Sequence, residues 1–376
     1  MYIRQKQLDN LRQCLSPGKV VVLYGARRTG KTTLVEEFLK DIKEPFLSVS
    51  GDDITVQEFL ASRSVEKLKA FVGSSRLLIV DEAQRIKDIG LNLKMIVDHI
   101  EGIRVVATGS SSFDLARSIG EPLTGRKYTL RLYPLAQFEI GQTENPAQTV
   151  ANLESRLVYG SYPEIVLISD NRQREQYLRE IVSSYLYKDI LEMDGVRHSA
   201  KISRLLQLIA FQIGKEVSCN ELGGQLGMSK NTVERYLDLL EKAFVVFRLQ
   251  GFSRNLRKEI TKNCRYYFLD VGIRNTLINN FNPLSLRNDV GLLWENYLVM
   301  ERLKKQEYLG MAANNYFWRT YTQQEIDFVE DREGRLNGFE MKWGKGRNGP
   351  PREWAAAYPE AGWRVINRDN YLEFIL

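Results

Sequence analysis

The residues with the most evident chemistry form one run, Gly25-Ala26-Arg27-Arg28-Thr29-Gly30-Lys31-Thr32, directly behind the apolar stretch Val20-Val21-Val22-Leu23-Tyr24. The run fits the spacing G-x-x-x-x-G-K-[ST] between a strand and a helix. Its glycines let the backbone approach a polyphosphate, and successive N–H groups point inward as an anion nest. The helix that follows adds partial positive charge at its N-terminus. Gly25 to Thr32, with Thr33, are therefore expected to bind ATP, Lys31 reaching the β- and γ-phosphates and the Thr32 hydroxyl ligating Mg2+. Hydrolysis needs a second acidic group, and Leu77-Leu78-Ile79-Val80-Asp81-Glu82 supplies one at a strand end. Asp81 would hold the metal through water, and Glu82 would position and deprotonate the attacking water. A third strand, Arg104 to Thr108, ends in Gly109-Ser110-Ser111-Ser112. Ser110 is the favoured γ-phosphate sensor, with Thr108 and Ser111 as rivals. Arg126 is the candidate arginine finger, acting in its own chain or on a neighbour, against the plainer reading of a surface arginine.

A second constellation lies near the C-terminus, in Glu295, Asp327, Glu340 and Lys342. Residues two apart in a strand face the same side, so Glu340 and Lys342 project together. Asp327 on an adjacent strand would add a carboxylate, and converging carboxylates repel unless a cation lies between them. Asp327 and Glu340 would hold Mg2+, Glu295 would complete or orient its shell, and Lys342 would orient or activate water. The predicted order around them is helix, three strands, short helix, strand. Order and motif together resemble the PD-(D/E)XK nuclease superfamily, which implies a restriction-endonuclease-like domain and leaves open whether it still cleaves.

The elements between these two sites read as follows. Residues 145–198 have helical spacing, as in Arg174 to Val182. From about 200 to 252, Leu205 to Ile213, Ser218 to Leu222 and Lys230 to Leu240 form three helices, capped at Ser218 and Ser229, and Ala243 to Phe247 begins a strand. This order resembles a winged helix-turn-helix, which would present Lys230, Asn231 and Arg235 to a DNA major groove. The same fold also serves in protein docking, and Glu234 on that helix weighs against tight DNA contact.

Taken together, Gly25 to Thr32, Asp81-Glu82-Ala83-Gln84, Thr108-Gly109-Ser110, Leu132-Tyr133-Pro134-Leu135 with Glu139, and Tyr162-Pro163-Glu164 resemble the AAA+ ATPases. More narrowly, they are similar to prokaryotic ATPases fused to a C-terminal domain of unknown function. Where such ATPases usually carry a glycine pair before Tyr-Pro-Glu, this chain has Gly160-Ser161. The resemblance implies an α/β chain in four parts: a P-loop parallel sheet at 1–144, a helical lid at 145–198, the winged helix at 199–270 and the nuclease-like domain at 271–376.

Composition narrows the field further. At 376 residues the chain is too long for one ordinary core. No apolar run approaches a membrane span, and the N-terminus lacks the apolar core of a signal peptide. Cys14, Cys219 and Cys264 form no disulfide framework, which points to a reducing cytoplasm. Two histidines, His99 and His198, argue against a histidine-rich zinc site. Net charge is +6, with six basic residues between Arg248 and Arg265 opposed only by Glu259, which permits nucleic-acid binding. The expected function is ATP hydrolysis coupled to action on DNA, in a homo-oligomer if Arg126 acts in trans. The alternatives are a nucleotide-dependent switch that docks a protein partner, with an inactive nuclease-like platform, and a simple ATP binder with slow turnover.

Overall fold

The computed structural model describes residues 2–109, 123–186, 199–253, 264–344, 346 and 349–376. The chain divides into two compact units, Tyr2–Tyr133 with Lys242–Phe244, and Pro134–Glu241 with Val245–Leu376.

In the first unit, strands β1 (Val20–Gly25), β2 (Phe46–Ser50), β3 (Leu77–Asp81), β4 (Arg104–Gly109) and β5 (Lys127–Leu132) form a sheet in the order β2-β3-β4-β1-β5. Every pairing is parallel. The sequence reason is hydropathy: β1 and β4 read as near-continuous apolar runs because helices cover both faces of such a sheet. All six residues of β1 are buried. The core gathers Leu8, Leu11, Leu23, Leu34, Phe38, Ile79, Val106 and Leu130 around the sheet. Because the strands are parallel, the loop after β1, the acidic end of β3 and the tip of β4 share one edge, where α/β folds bind ligands.

The second unit opens with short helices at Pro146–Ala151, Leu153–Tyr159, Pro163–Leu167 and Asn171–Glu180. Helices Ser199–Phe211, Cys219–Leu226 and Lys230–Lys242 follow. A seven-stranded sheet comes next, ordered β12-β11-β10-β9-β7-β8-β6. Its strands are β6 (Glu216–Val217), β7 (Val246–Gly251), β8 (Cys264–Phe268), β9 (Asn314–Arg319), β10 (Glu325–Arg332), β11 (Arg335–Met341) and β12 (Gly362–Ile366). The 19-residue helix Val290–Tyr308 packs against β8 and β11. From this helix to β12 the order is helix, three strands, the helix Arg352–Ala357, then a strand, as the sequence predicts. Phe252, Trp318, Ile326, Val329 and Trp354 form a core on one face of this sheet.

A single parallel step joins the two halves of the sheet. Gln250 and Gly251 of β7 pair with Tyr316 and Phe317 of β9, and the Phe252 N–H donates to the Phe317 carbonyl at 2.6 Å. The hairpin that follows the three helices and the C-terminal strands are therefore one continuous sheet. The boundary expected between residues 270 and 271 falls within its span.

Candidate functional sites: a phosphate loop and an acidic cluster

The loop after β1 has the backbone that its glycines imply. A Cβ on Gly25 would lie 2.3 Å from the Leu132 carbonyl oxygen, so no side chain fits there. Gly30, at φ 96°, is in the left-handed region and leads into the helix Lys31–Leu39. Arg28 holds a φ of 64° without being glycine, and the buried Thr29 hydroxyl ties the turn by donating to the Ala26 carbonyl at 2.8 Å. The Lys31 ammonium donates to the carbonyls of Gly25 and Ala26, each at 2.8 Å, across the mouth of the loop. Gln5 was not found by sequence reasoning. It is buried, and its amide donates to the Thr29 carbonyl at 2.9 Å, bracing the loop from the N-terminal segment.

The acidic strand end meets this loop. The Thr32 hydroxyl donates to Asp81 Oδ2 at 3.1 Å. The fully buried Thr108 donates to the other Asp81 oxygen and accepts the Glu82 N–H at 3.3 Å. Glu82 stands at φ 49°, a strained conformation of the kind that collects at functional sites, and Gln84 donates to its carboxylate. A hydroxyl and a carboxylate side by side are hard oxygen donors of the type that Mg2+ takes, so Thr32 and Asp81 fit that ion.

Two sequence expectations bear on this site. Ser110, with Ser111, lies outside the described residues, and of the sensor candidates Thr108 is the one seen bonded to Asp81 and Glu82. Arg126 precedes β5, where its carbonyl accepts the N–H of Val20, the first residue of β1. That is the opposite edge of the sheet from the phosphate loop, about 17 Å away for a strand of this length. Its guanidinium pairs with Asp98 at 2.5 Å. The strand length between them keeps Arg126 from the phosphate site of its own chain, which leaves a surface arginine paired with Asp98 or a role in trans.

The C-terminal residues converge as their spacing predicts. Glu295 comes from the long helix, Asp327 from β10, and Glu340 and Lys342 from the end of β11. The β10–β11 register, carried one residue beyond Phe328 and Phe339, sets Asp327 opposite Glu340. On its other side β10 shifts register by a bulge between Ile326 and Val329, a device that re-aims side chains. Lys342 lies 2.8 Å from Glu340 and 3.7 Å from Asp327, whose Oδ2 accepts the Met341 N–H at 2.8 Å.

Two further residues, both from β8, enter this cluster. Tyr267 donates its hydroxyl to Glu295 at 2.6 Å. Arg265 reaches Glu325 at 2.8 Å, Glu295 at 3.6 Å and Asp327 at 3.9 Å, and its guanidinium covers the Phe317 ring at 4.5 Å. Arg265, one of the six basic residues whose run permits nucleic-acid binding, is 4% exposed and turned inward. Its flanks gave the signal, because Tyr266-Tyr267-Phe268 is a buried strand. Arg254, Arg257, Lys258 and Lys262 of that run lie outside the described residues.

Burial, followed by the charge of Asp327, holds the Glu295 carboxyl well above the usual carboxylate range. Burial also raises Asp327, with Glu340 adding to the shift and Lys342 opposing it. Burial works against the Lys342 and Arg265 charges, but the surrounding acids more than restore both. Among the described residues no group of three or more His, Cys, Asp or Glu side chains is arranged to hold a metal ion. As they stand, Glu295, Asp327 and Glu340 are engaged by protein cations and do not fit one.

On the helix Lys230–Lys242, Lys230, Asn231 and Arg235 share the exposed face while Val233, Tyr236, Leu237 and Leu240 are buried. Lys230 pairs with Glu234 at 3.5 Å. The Ser218 and Ser229 hydroxyls cap their helices as expected, accepting the N–H groups of Glu221 and Thr232. Two of the remaining motifs are architectural. Glu139 accepts the Ala136 N–H at 2.8 Å, and Glu301 and Lys304 of the long helix bind that turn at the Gln137 N–H and the Leu135 carbonyl. Gly160, at φ 77°, leaves no room for a Cβ beside the Asp270 carboxylate, which accepts the Ser161 N–H at 2.7 Å.

The AAA domain model matches residues 17–141, and two domains of unknown function, DUF8612 and DUF4143, match residues 150–284 and 290–370. The chain is 30% identical over 347 residues to an uncharacterized protein of Mycobacterium tuberculosis, covering 90% of this chain and 74% of that one. An uncharacterized protein of Methanocaldococcus jannaschii is 25% identical, over 84% of this chain and 73% of its own length. Among solved structures, a Walker-type ATPase of Pyrococcus abyssi aligns at TM-score 0.48 and 14% identity, over 73% of this chain and 93% of that one. RuvB of Thermotoga maritima aligns at TM-score 0.32 and 16% identity, over 64% of this chain and 85% of that one. The match of the AAA domain model to residues 17–141 makes the first unit a P-loop ATPase domain of the AAA type. No helix among the described residues is long and apolar enough to cross a membrane.

Proposed function

We propose that this chain, which belongs to the family of the mycobacterial protein, couples Mg2+-dependent ATP hydrolysis to action on DNA. The observation that carries the ATPase half is the continuous hydrogen-bonded path from Thr32 through Asp81 and Thr108 to the Glu82 backbone. Gly25 to Thr33 cradle the phosphates, with Lys31 on the β- and γ-phosphates. Thr32, and Asp81 through water, would hold Mg2+, which when bound would neutralise charge on the phosphates. Glu82 takes the proton of the attacking water, and its strained backbone holds the carboxylate at the strand tip.

In this reading residues 145–198 are a lid, 199–270 a winged helix and 271–376 a nuclease-like domain. Support for DNA comes from the exposed face bearing Lys230, Asn231 and Arg235, which would meet phosphates and base edges. Further support is the convergence of Glu295, Asp327, Glu340 and Lys342, where Lys342 would orient water against a phosphodiester. The setting would be the cytoplasm, with assembly into oligomers if Arg126 serves a neighbour's nucleotide.

One observation favours the alternative of a switch that docks a protein partner. Glu234 neutralises Lys230 on the very face that would touch DNA. A single experiment separates the two. Labelled duplex is titrated with the Glu82→Gln protein, with and without ATP, and cleavage of supercoiled and branched DNA is compared for wild type and Lys342→Ala. ATP-strengthened binding with cleavage by wild type alone establishes the DNA reading. No binding at low salt, where phosphate contacts are strongest, removes it and leaves the switch.

A further inference from the structure

We infer that Arg265 is a built-in counter-ion that excludes divalent metal from the Glu295–Asp327 pair, so that the acidic site is held closed by the chain's own strand β8. This deepens the reading of the C-terminal cluster as a phosphodiester site, but the metal exclusion stands on geometry alone.

Glu295 and Asp327 would be expected to share a hard cation, yet Glu295 Oε1 and both Asp327 oxygens already face protein groups. Glu295 Oε1 takes the Tyr267 hydroxyl at 2.6 Å and faces the Arg265 guanidinium at 3.6 Å. Asp327 Oδ1 faces the same guanidinium at 3.9 Å, while Oδ2 takes the Met341 N–H at 2.8 Å and faces Lys342. A divalent ion needs about six oxygens close around it and cannot share them with a guanidinium lodged between two of the ligands.

Arg265 differs from an ordinary structural arginine in two ways. Its Nε, buried, has no hydrogen-bond partner among the described residues, so its planar fork is not saturated in this position. It also comes from outside the group of elements that supply the acids. Glu295, Asp327 and Glu340 stand on the long helix, β10 and β11, whereas Arg265 stands on β8, the strand that pairs with β6 and β7. Glu325, on the exposed side, and the face of Phe317 hold the guanidinium in its present seat.

The test reads metal rather than cleavage. Mn2+ binding to the full chain is measured by electron paramagnetic resonance, without nucleotide and in an Asp81→Asn background that silences the ATPase site. The parent should bind no Mn2+ that depends on Asp327, so adding Asp327→Asn should change nothing. Arg265→Gln should create one Mn2+ site at least tenfold tighter than any in the parent, and adding Asp327→Asn should abolish it. The inference is overturned if the parent already holds a tight site that Asp327→Asn removes, a measurement that needs no change at Arg265. It is equally overturned if folded Arg265→Gln binds Mn2+ as the parent does. Absence of DNA binding at low salt would defeat the proposed function and leave these titrations untouched.

Discussion

Individual residues at the phosphate site divide the work between chemistry and bracing, and the division makes distinct kinetic predictions. Glu82→Gln should lower ATP turnover by roughly 10²- to 10⁴-fold with nucleotide affinity retained, the usual scale for loss of a general base. Unaltered turnover in a steady-state phosphate-release assay would move the base to another residue. Thr108 is the less obvious case; it donates to Asp81 and accepts from the Glu82 backbone. Replacing it by valine keeps its shape and removes a hydrogen bond to a charged group, about 1.5 kcal/mol or roughly tenfold in turnover, and serine should restore it. If Thr108→Val turned over ATP as wild type does, a sensor at residues 110–111 would be favoured instead. Arg126 teaches the converse lesson, because its sequence surroundings suited a finger while its strand put it at the far edge.

At the scale of elements, buried polar junctions set the geometry. Asp270 caps the helix Val271–Leu277 through the N–H groups of Gly272 and Ile273 while also accepting from Ser161. This explains the glycine before Tyr-Pro-Glu, because the carboxylate fills the space where a Cβ would go. Gly160→Ala combines that clash with a positive φ and should destabilise the second unit by at least ~2 kcal/mol, read as a lower urea midpoint. A neighbouring junction gives a pH prediction. Asp289 pairs with Arg274 and Arg287; burial works against its charge, but their hydrogen bonds outweigh it and bring its pKa from 3.8 to about 2. A folded pKa below the unfolded one means stability that is present above pH 3.8 and lost as pH falls through about 2. The wild-type advantage over Asp289→Asn should therefore shrink by roughly 2 kcal/mol between pH 6 and pH 2 in denaturant titrations. An advantage that stayed constant over that range would show that the ion pair does not govern the acid limb.

For the whole molecule, the main consequence is the sheet that joins the three-helix segment to the C-terminal strands. The net charge of +6 suits a polyanion, and DNA binding should weaken steeply with salt. Alanine at Lys230 or Arg235 should each reduce the slope of log affinity against log salt by about one unit in fluorescence anisotropy. Slopes identical to wild type would mean that this face does not contact phosphate, favouring the protein-docking alternative.

What could be read from the chain alone was the chemistry written in consecutive residues. The strand, loop and helix around Gly25 to Thr32, the acidic end of the strand at Asp81-Glu82, the alternation that pairs Glu340 with Lys342, and the order of elements from 290 to 366 all follow from local spacing and hydropathy. These features depend on residues a few positions apart, where the periods of strand and helix are enough. The rest depends on pairs that are distant in sequence. That Arg265 would turn inward against Glu295 and Asp327, that Thr108 would bond Asp81, that Asp270 would occupy the space beside Gly160, and that β7 would join β9 are outcomes of register and sheet order. A charged residue reads as a surface residue until a partner is brought to it. Only packing brings such partners together, because burying a charge is favourable only where opposite charges and hydrogen bonds already wait.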